Sequence, residues 1–414
     1  MTKLGLVTLR VVIATVGLGL AAMALPATAA ASIAQPRIVS ANPADRTPNV
    51  DNGAVYVFAQ VGTTMYAGGS FSSVQGFRRS GIVAFDTTTY AVRSFAPAIN
   101  GAVWALVPSP DGRFLYIGGT FTTVNSVARR GLVKYDLQLN RVDPTFQPYL
   151  DNSVTDAQLV NGRLIVGGKF TKRLVALNPV TGADTGYLKV SIYGKTASNT
   201  GPPSVYRFAV NPAGSKLVMI GNFTTVGGQK SRQAAMLKLG ATSAQVSRWH
   251  APRLDLQCTS ITPSYLRDVD FSPDGSYFVL VSTGGARGTT GFCDAAGRWE
   301  SSNESSTAQP TWINWTGGDT LHSVAITGAT VYVGGHQRWL DNPKGYNYAG
   351  AGAVNRPGIG SINPTTGKAT AWNPTRTRGV GARALYATAA GLWVGSDTTK
   401  FGHEYHARIA FCPL

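Results

Sequence analysis

A short strand-forming run that ends in a glycine pair recurs along this chain and limits what it can fold into. The clearest copy is Leu115 to Asp136, LYIGGTFTTVNSVARRGLVKYD. β-Branched and aromatic residues suit a pleated, half-buried surface, and glycine inside a strand marks a bulge or a close backbone approach. Met65-Tyr-Ala-Gly-Gly-Ser-Phe, Leu164-Ile-Val-Gly-Gly-Lys-Phe and Leu217-Val-Met-Ile-Gly-Asn-Phe restate the motif. Later copies are Phe278-Val-Leu-Val-Ser-Thr, Val331-Tyr-Val-Gly-Gly-His and Leu392-Trp-Val-Gly-Ser-Asp. Aligned on the second glycine position, the copies are spaced by 50, 49, 53, 61, 53 and 61 residues. Seven copies at this period, each with alternating strands and turn signals, predict an all-β, seven-bladed β-propeller forming one domain over residues 52–414.

Four strands are expected per blade. Strand a is the innermost, as in Val103-Trp-Ala-Leu-Val. Strand b carries the glycines, strand c is of the Gly131-Leu-Val-Lys-Tyr-Asp type, and strand d ends in patterns such as Phe146-Gln-Pro148. Asn178-Pro-Val-Thr-Gly182 and Asn363-Pro-Thr-Thr-Gly367 are c–d turns, in which proline presets φ and glycine accepts φ > 0. The YxGGxF…RRGLVKYD copies resemble the delta-60 repeats of secreted bacterial β-propellers. That resemblance implies the fold and export, and no particular reaction.

Residues 1–30 read as a secretory signal peptide: Lys3 and Arg10 flank its start, Val11 to Leu25 is apolar, and Ala27-Thr-Ala29 offers a cleavage site. A retained anchor is the alternative. The formal charge is +17, or about +15 once the two signal cations are removed. So basic a chain suits anionic cell-wall polymers or acidic glycans. The cations are scattered as singles and pairs such as Arg78-Arg79 and Arg129-Arg130, which argues against nucleic acid.

The last copy ends after strand c, so the lead at residues 31–51, around Arg37–Ala41, is expected to supply its missing outer strand. Cys258 and Cys293 fall in long loops expected on one face, and export permits their pairing as a disulfide; Cys412 is left as a small buried residue. No CxxC spacing points to a metal, and nothing in the sequence calls for a cofactor.

In a propeller the start of strand a and the b–c turn share one face around the central channel. Aligning the strand a starts puts Tyr56, Trp104, Thr155, Tyr206, Arg267, His322 and Arg383 in one ring, followed by Val57, Ala105, Asp156, Arg207, Asp268, Ser323 and Ala384. The later copies bring charge to these rings and carry long b–c connections, including residues 282–300. From them come the candidate ligand contacts Arg267, Asp268, Trp299, Asp319, His322, His336, Arg338, Trp339, Arg383 and Asp397. Aromatic platforms beside Arg, Asp and His suit a polyhydroxylated or anionic ligand. The same residues equally suit hydrogen-bonded clamps between blades.

Carboxylates among Asp268, Glu300, Asp319 and Asp397 could form a glycosidase pair. His403-Glu-Tyr-His406 lacks the helix of a zincin site, and no nucleophile elbow, P-loop or dinucleotide fingerprint occurs. The expectation is a secreted, monomeric, non-catalytic binder of an extracellular glycan or cell-envelope polymer. An extracellular polysaccharide hydrolase or lyase and a protein-interaction scaffold are the alternatives.

Overall fold

The structure is a computed structural model that describes residue 1 and residues 32–414, except 261 and 264. The expected signal peptide, apart from residue 1, lies outside the described residues. Among those, seven principal antiparallel sheets follow one another along the chain, with one 3-10 turn at Pro252–Asp255 and no α-helix. Strands a are Val55–Val61, Val103–Pro108, Val154–Val160, Ser204–Val210, Leu266–Phe271, Leu321–Ile326 and Ala384–Thr388. Each pairs with a strand b, and each strand b with a strand c. Strand a of every sheet packs against strand a of the next, and Ala384–Thr388 packs against Val55–Val61. The molecule is thus all-β and propeller-like.

The glycines explain the seams. A Cβ on Gly68, Gly118 or Gly167, the first of each pair, would meet Val103, Val154 or Val205 of the next sheet at 2.6–2.9 Å. A Cβ on Gly395 would meet Val55 Cγ1 at 2.8 Å, which puts the last sheet against the first. The second glycine of each pair lies under the carbonyl just before strand a, and a side chain there would collide with backbone. Between sheets lie apolar layers such as Val103, Leu115, Ile117 and Tyr135, closed by the buried phenylalanines of the motif, Phe71, Phe121, Phe170 and Phe223.

Expected four-stranded sheets occur at the second, fourth and fifth positions only. In the first, third and sixth, strand d shrinks to one bridge each: Phe85↔Val92, Leu177↔Asp184 and Ile362↔Ala369. There the outer segment leaves the ladder as soon as the c–d turn is closed. Those turns follow the sequence chemistry, since Asn178 Oδ1 accepts the N–H groups of Val180 and Thr181, and Gly182 has φ +80°.

The lead runs beside the terminal strand Ile409–Pro413. Ser40 N donates to Pro413 O at 2.7 Å, Ala44 N to Phe411 O at 2.8 Å, and Thr47 Oγ1 to Ile409 O at 2.8 Å. Among the described residues four b–c turns extend into two-stranded ribbons, for instance Thr123–Val124 with Val127–Ala128 and Trp339–Leu340 with Val354–Asn355, and a fifth, Thr225–Val226 with Gln229–Lys230, is joined by Ile192–Tyr193 into a three-stranded sheet. Cys258 and Cys293 form the expected disulfide, and Cys412 is buried in the terminal strand.

Candidate functional site

Strand a is bulged at its start in the first six sheets. Pairing steps from Val55 to Val57, Val103 to Ala105, Val154 to Asp156, Val205 to Arg207, Leu266 to Asp268, and Leu321 to Ser323. The skipped residues are Tyr56, Trp104, Thr155, Tyr206, Arg267 and His322. In the seventh sheet Arg383 immediately precedes strand a, its N–H bonded to Gly395 O. A bulge leaves one residue out of the ladder and re-aims its side chain. All seven of these side chains line one cavity of about 460 Å³, together with Thr120 and Lys169 from b–c turns. The aligned ring and the shared face of the b–c turns are therefore both present.

Within that cavity Tyr56 stacks on Trp104 with centroids 4.2 Å apart and planes 5° from parallel, and Arg383 Cζ lies 5.7 Å from the Tyr56 centroid. Arg207 Nη1 reaches across to the backbone oxygens of Trp104 at 3.2 Å and Thr155 at 3.3 Å. His322 is driven down to about 3, by burial first and then by Arg383, Arg267 and His336, so its ring stays neutral at ordinary pH.

A second cavity of about 780 Å³ shares Tyr56, Arg207 and Arg383 with the first and is lined by Asp156, Asp268 and Asp270. These aspartates tie sheet to sheet: Asp156 accepts Phe208 N–H at 2.8 Å, Asp268 accepts Val324 N–H at 3.0 Å, and Asp270 accepts Ile326 N–H at 2.7 Å. Burial pushes Asp156 and Asp268 up to about 6 and Asp270 up to about 7. Ser32 donates to Asp270 at 2.7 Å.

Of the ten proposed contacts, Arg267, His322 and Arg383 converge on the smaller cavity. His336 stands just outside, its ring 6.1 Å from that of His322. It accepts from Thr320 N at Nε2 and donates to Val380 O from Nδ1. The others lie outside that cavity. Asp268 faces the larger cavity and spends an oxygen on Val324. Trp299 is core: it is 1% exposed, packed on Trp249, Phe278 and Phe292, because residues 295–300 form strand c of the fifth sheet instead of a loop. Asp319, 4% exposed, is gripped by Arg338 Nε at 2.9 Å and by Arg378 Nη2 at 3.1 Å, which uses up Arg338 as well. Trp339 lies under the Arg338 guanidinium. Asp397 caps the Val380 and Gly381 N–H groups. Glu300, from the carboxylate alternative, is paired with Arg298.

Restricting the site to the late copies leaves out Tyr56, Trp104, Thr155 and Tyr206, though the alignment itself puts them in the same ring. Lys169 could have been found as the residue after a Gly-Gly pair. Among the described residues no group of three or more His, Cys, Asp or Glu side chains is placed to hold a metal ion, and no helix is long and apolar enough to cross a membrane.

The sequence matches no protein-family model and no curated protein. Among solved structures, that of U3-55K is similar with a TM-score of 0.55 and 12% identity over 90% of this chain and 99% of that one. The hydrazine synthase of Kuenenia stuttgartiensis is similar with a TM-score of 0.51 and 13% identity, over 84% of this chain and 94% of that one. At such identities the likeness bears on the all-β, propeller-like fold and on nothing else.

Proposed function

We propose that this chain is a secreted seven-bladed β-propeller that binds an extracellular ligand, a glycan or cell-envelope polymer, without catalysis in the cavity at the bulged ends of its inner strands. The observation that carries the reading is convergence: seven residues, one from each sheet, share one concave site of about 460 Å³, within the span typical of ligand pockets. Carboxylates that a hydrolase would need are engaged in holding the scaffold, which favours binding over cleavage. The packing of the last sheet on the first supports a closed ring. The disulfide is compatible with export.

Glycan-array screening of the chain from residue 32 onward tests this, beside His322→Ala and Tyr206→Ala. Wild type is expected to give discrete hits that both variants weaken. Hits that survive both substitutions, or an empty array with a protein partner recovered by pull-down, would displace the reading. Release of reducing sugar from a bound polymer would establish the hydrolase alternative instead.

A further inference from the structure

The side chains of the smaller cavity are unbalanced in charge. Its lining holds Lys169, Arg207, Arg267 and Arg383 and no carboxylate. Arg207 is matched by Asp156 at 3.9 Å, and Asp294 acts on Arg267 from outside the lining. Neither Arg383 nor Lys169 forms an ion pair within 4.0 Å among the described residues. The aromatic platform does not compensate, since Tyr56 is stacked on Trp104 and neighboured by Arg383. What this cavity presents to a ligand is positive charge in a concave, partly desolvated place, where such charge acts most strongly.

We propose that this cavity takes an oxyanion carried by a saccharide, a carboxylate or a phosphate, with Arg383 and Arg267 as its partners inside and Lys169 at the exposed side. The proposal rests on the binding reading above and narrows its ligand class. Guanidinium groups suit it because their planar fork matches both oxyanions. His322 fits as well, its neutral ring able to hydrogen-bond a hydroxyl beside the anion.

Calorimetric titration with maltotriose, trigalacturonate and maltotriose bearing a phosphate monoester separates the sources. At least one of the acids should bind about tenfold more tightly than maltotriose, ~1.4 kcal/mol, and lose that margin as salt is raised. Arg383→Gln and Lys169→Ala should each remove most of the margin. Lys189→Ala, an equal charge change on an exposed connection outside the cavity, should leave it intact. Lys169 is exposed, so its variant reports even if Arg383→Gln perturbs the fold. Maltotriose binding as tightly as both acids would overturn the anion assignment and leave the binding reading standing. Lys169→Ala behaving like Lys189→Ala would do the same. Failure of all three sugars at millimolar concentration would remove both.

Discussion

The first glycine of each pair does its work at the seam between sheets, where hydrogen is the only side chain that fits. Gly118→Ala would set a methyl 2.7 Å from Val154 Cγ1. Overpacking of this kind costs about 1–3 kcal/mol, so a chemical denaturation midpoint should fall accordingly. An unchanged midpoint would mean that the sheets separate easily. Asp270 offers a test by pH. Its carboxyl is raised from 3.8 to about 7 by burial, so the folded form holds its proton where the unfolded form has lost it. The stability contribution is complete below the unfolded value and disappears as pH rises through the folded one. Asp270→Asn keeps an acceptor for Ile326 N–H and avoids the buried charge. It should raise the melting temperature by a few degrees at about pH 8, with the gain shrinking to nothing near pH 4. A gain independent of pH would remove titration from the account.

At the scale of elements, the lead is the segment whose contribution can be isolated. Val39 is buried and donates its N–H to Tyr332 Oη at 2.9 Å, while Ser40 and Ala44 bond to the terminal strand. Deleting residues 32–44 should cost at least ~2 kcal/mol, the worth of burying a valine, and thermal unfolding would read it. Identical unfolding curves would make the lead a tail. The elements also show which parts of the sequence could be read. Strands b and c were legible because their glycines and alternating apolar residues answer a local demand, close approach on one side and core on the other. Strand d is legible only in part, because in the first, third and sixth sheets it shrinks to one bridge, which leaves little periodicity. Residues 295–300, Ala-Ala-Gly-Arg-Trp-Glu, hide strand c of the fifth sheet behind small residues of low strand propensity, so Trp299 passed for a loop aromatic. The salt bridges from Asp319 to Arg338 and Arg378 are not legible for another reason: spacing along the chain says nothing about which charges find each other.

For the whole molecule, two cavities share Tyr56, Arg207 and Arg383, while Asp156, Asp268 and Asp270 line only the larger and Lys169 and Arg267 only the smaller. The first and last sheets meet through hydrogen bonds: Val55 N–H bonds to Ser396 O at 3.0 Å, and Arg408 Nη1 to Val50 O at 2.7 Å. Truncation before residue 407 should therefore unravel more than its own sheet, giving broadened unfolding and aggregation through the exposed edges. A soluble monomer with one sharp transition would show that the seam is dispensable. The repeated bulge has one more implication. Because the residue at each bulge stands outside the ladder, its identity is released from the demands of strand pairing, and six such places, with Arg383 beside them, face a common hollow. If the cavity binds as proposed, its preference could be rewritten there, one position at a time, while the architecture beneath goes on folding as before.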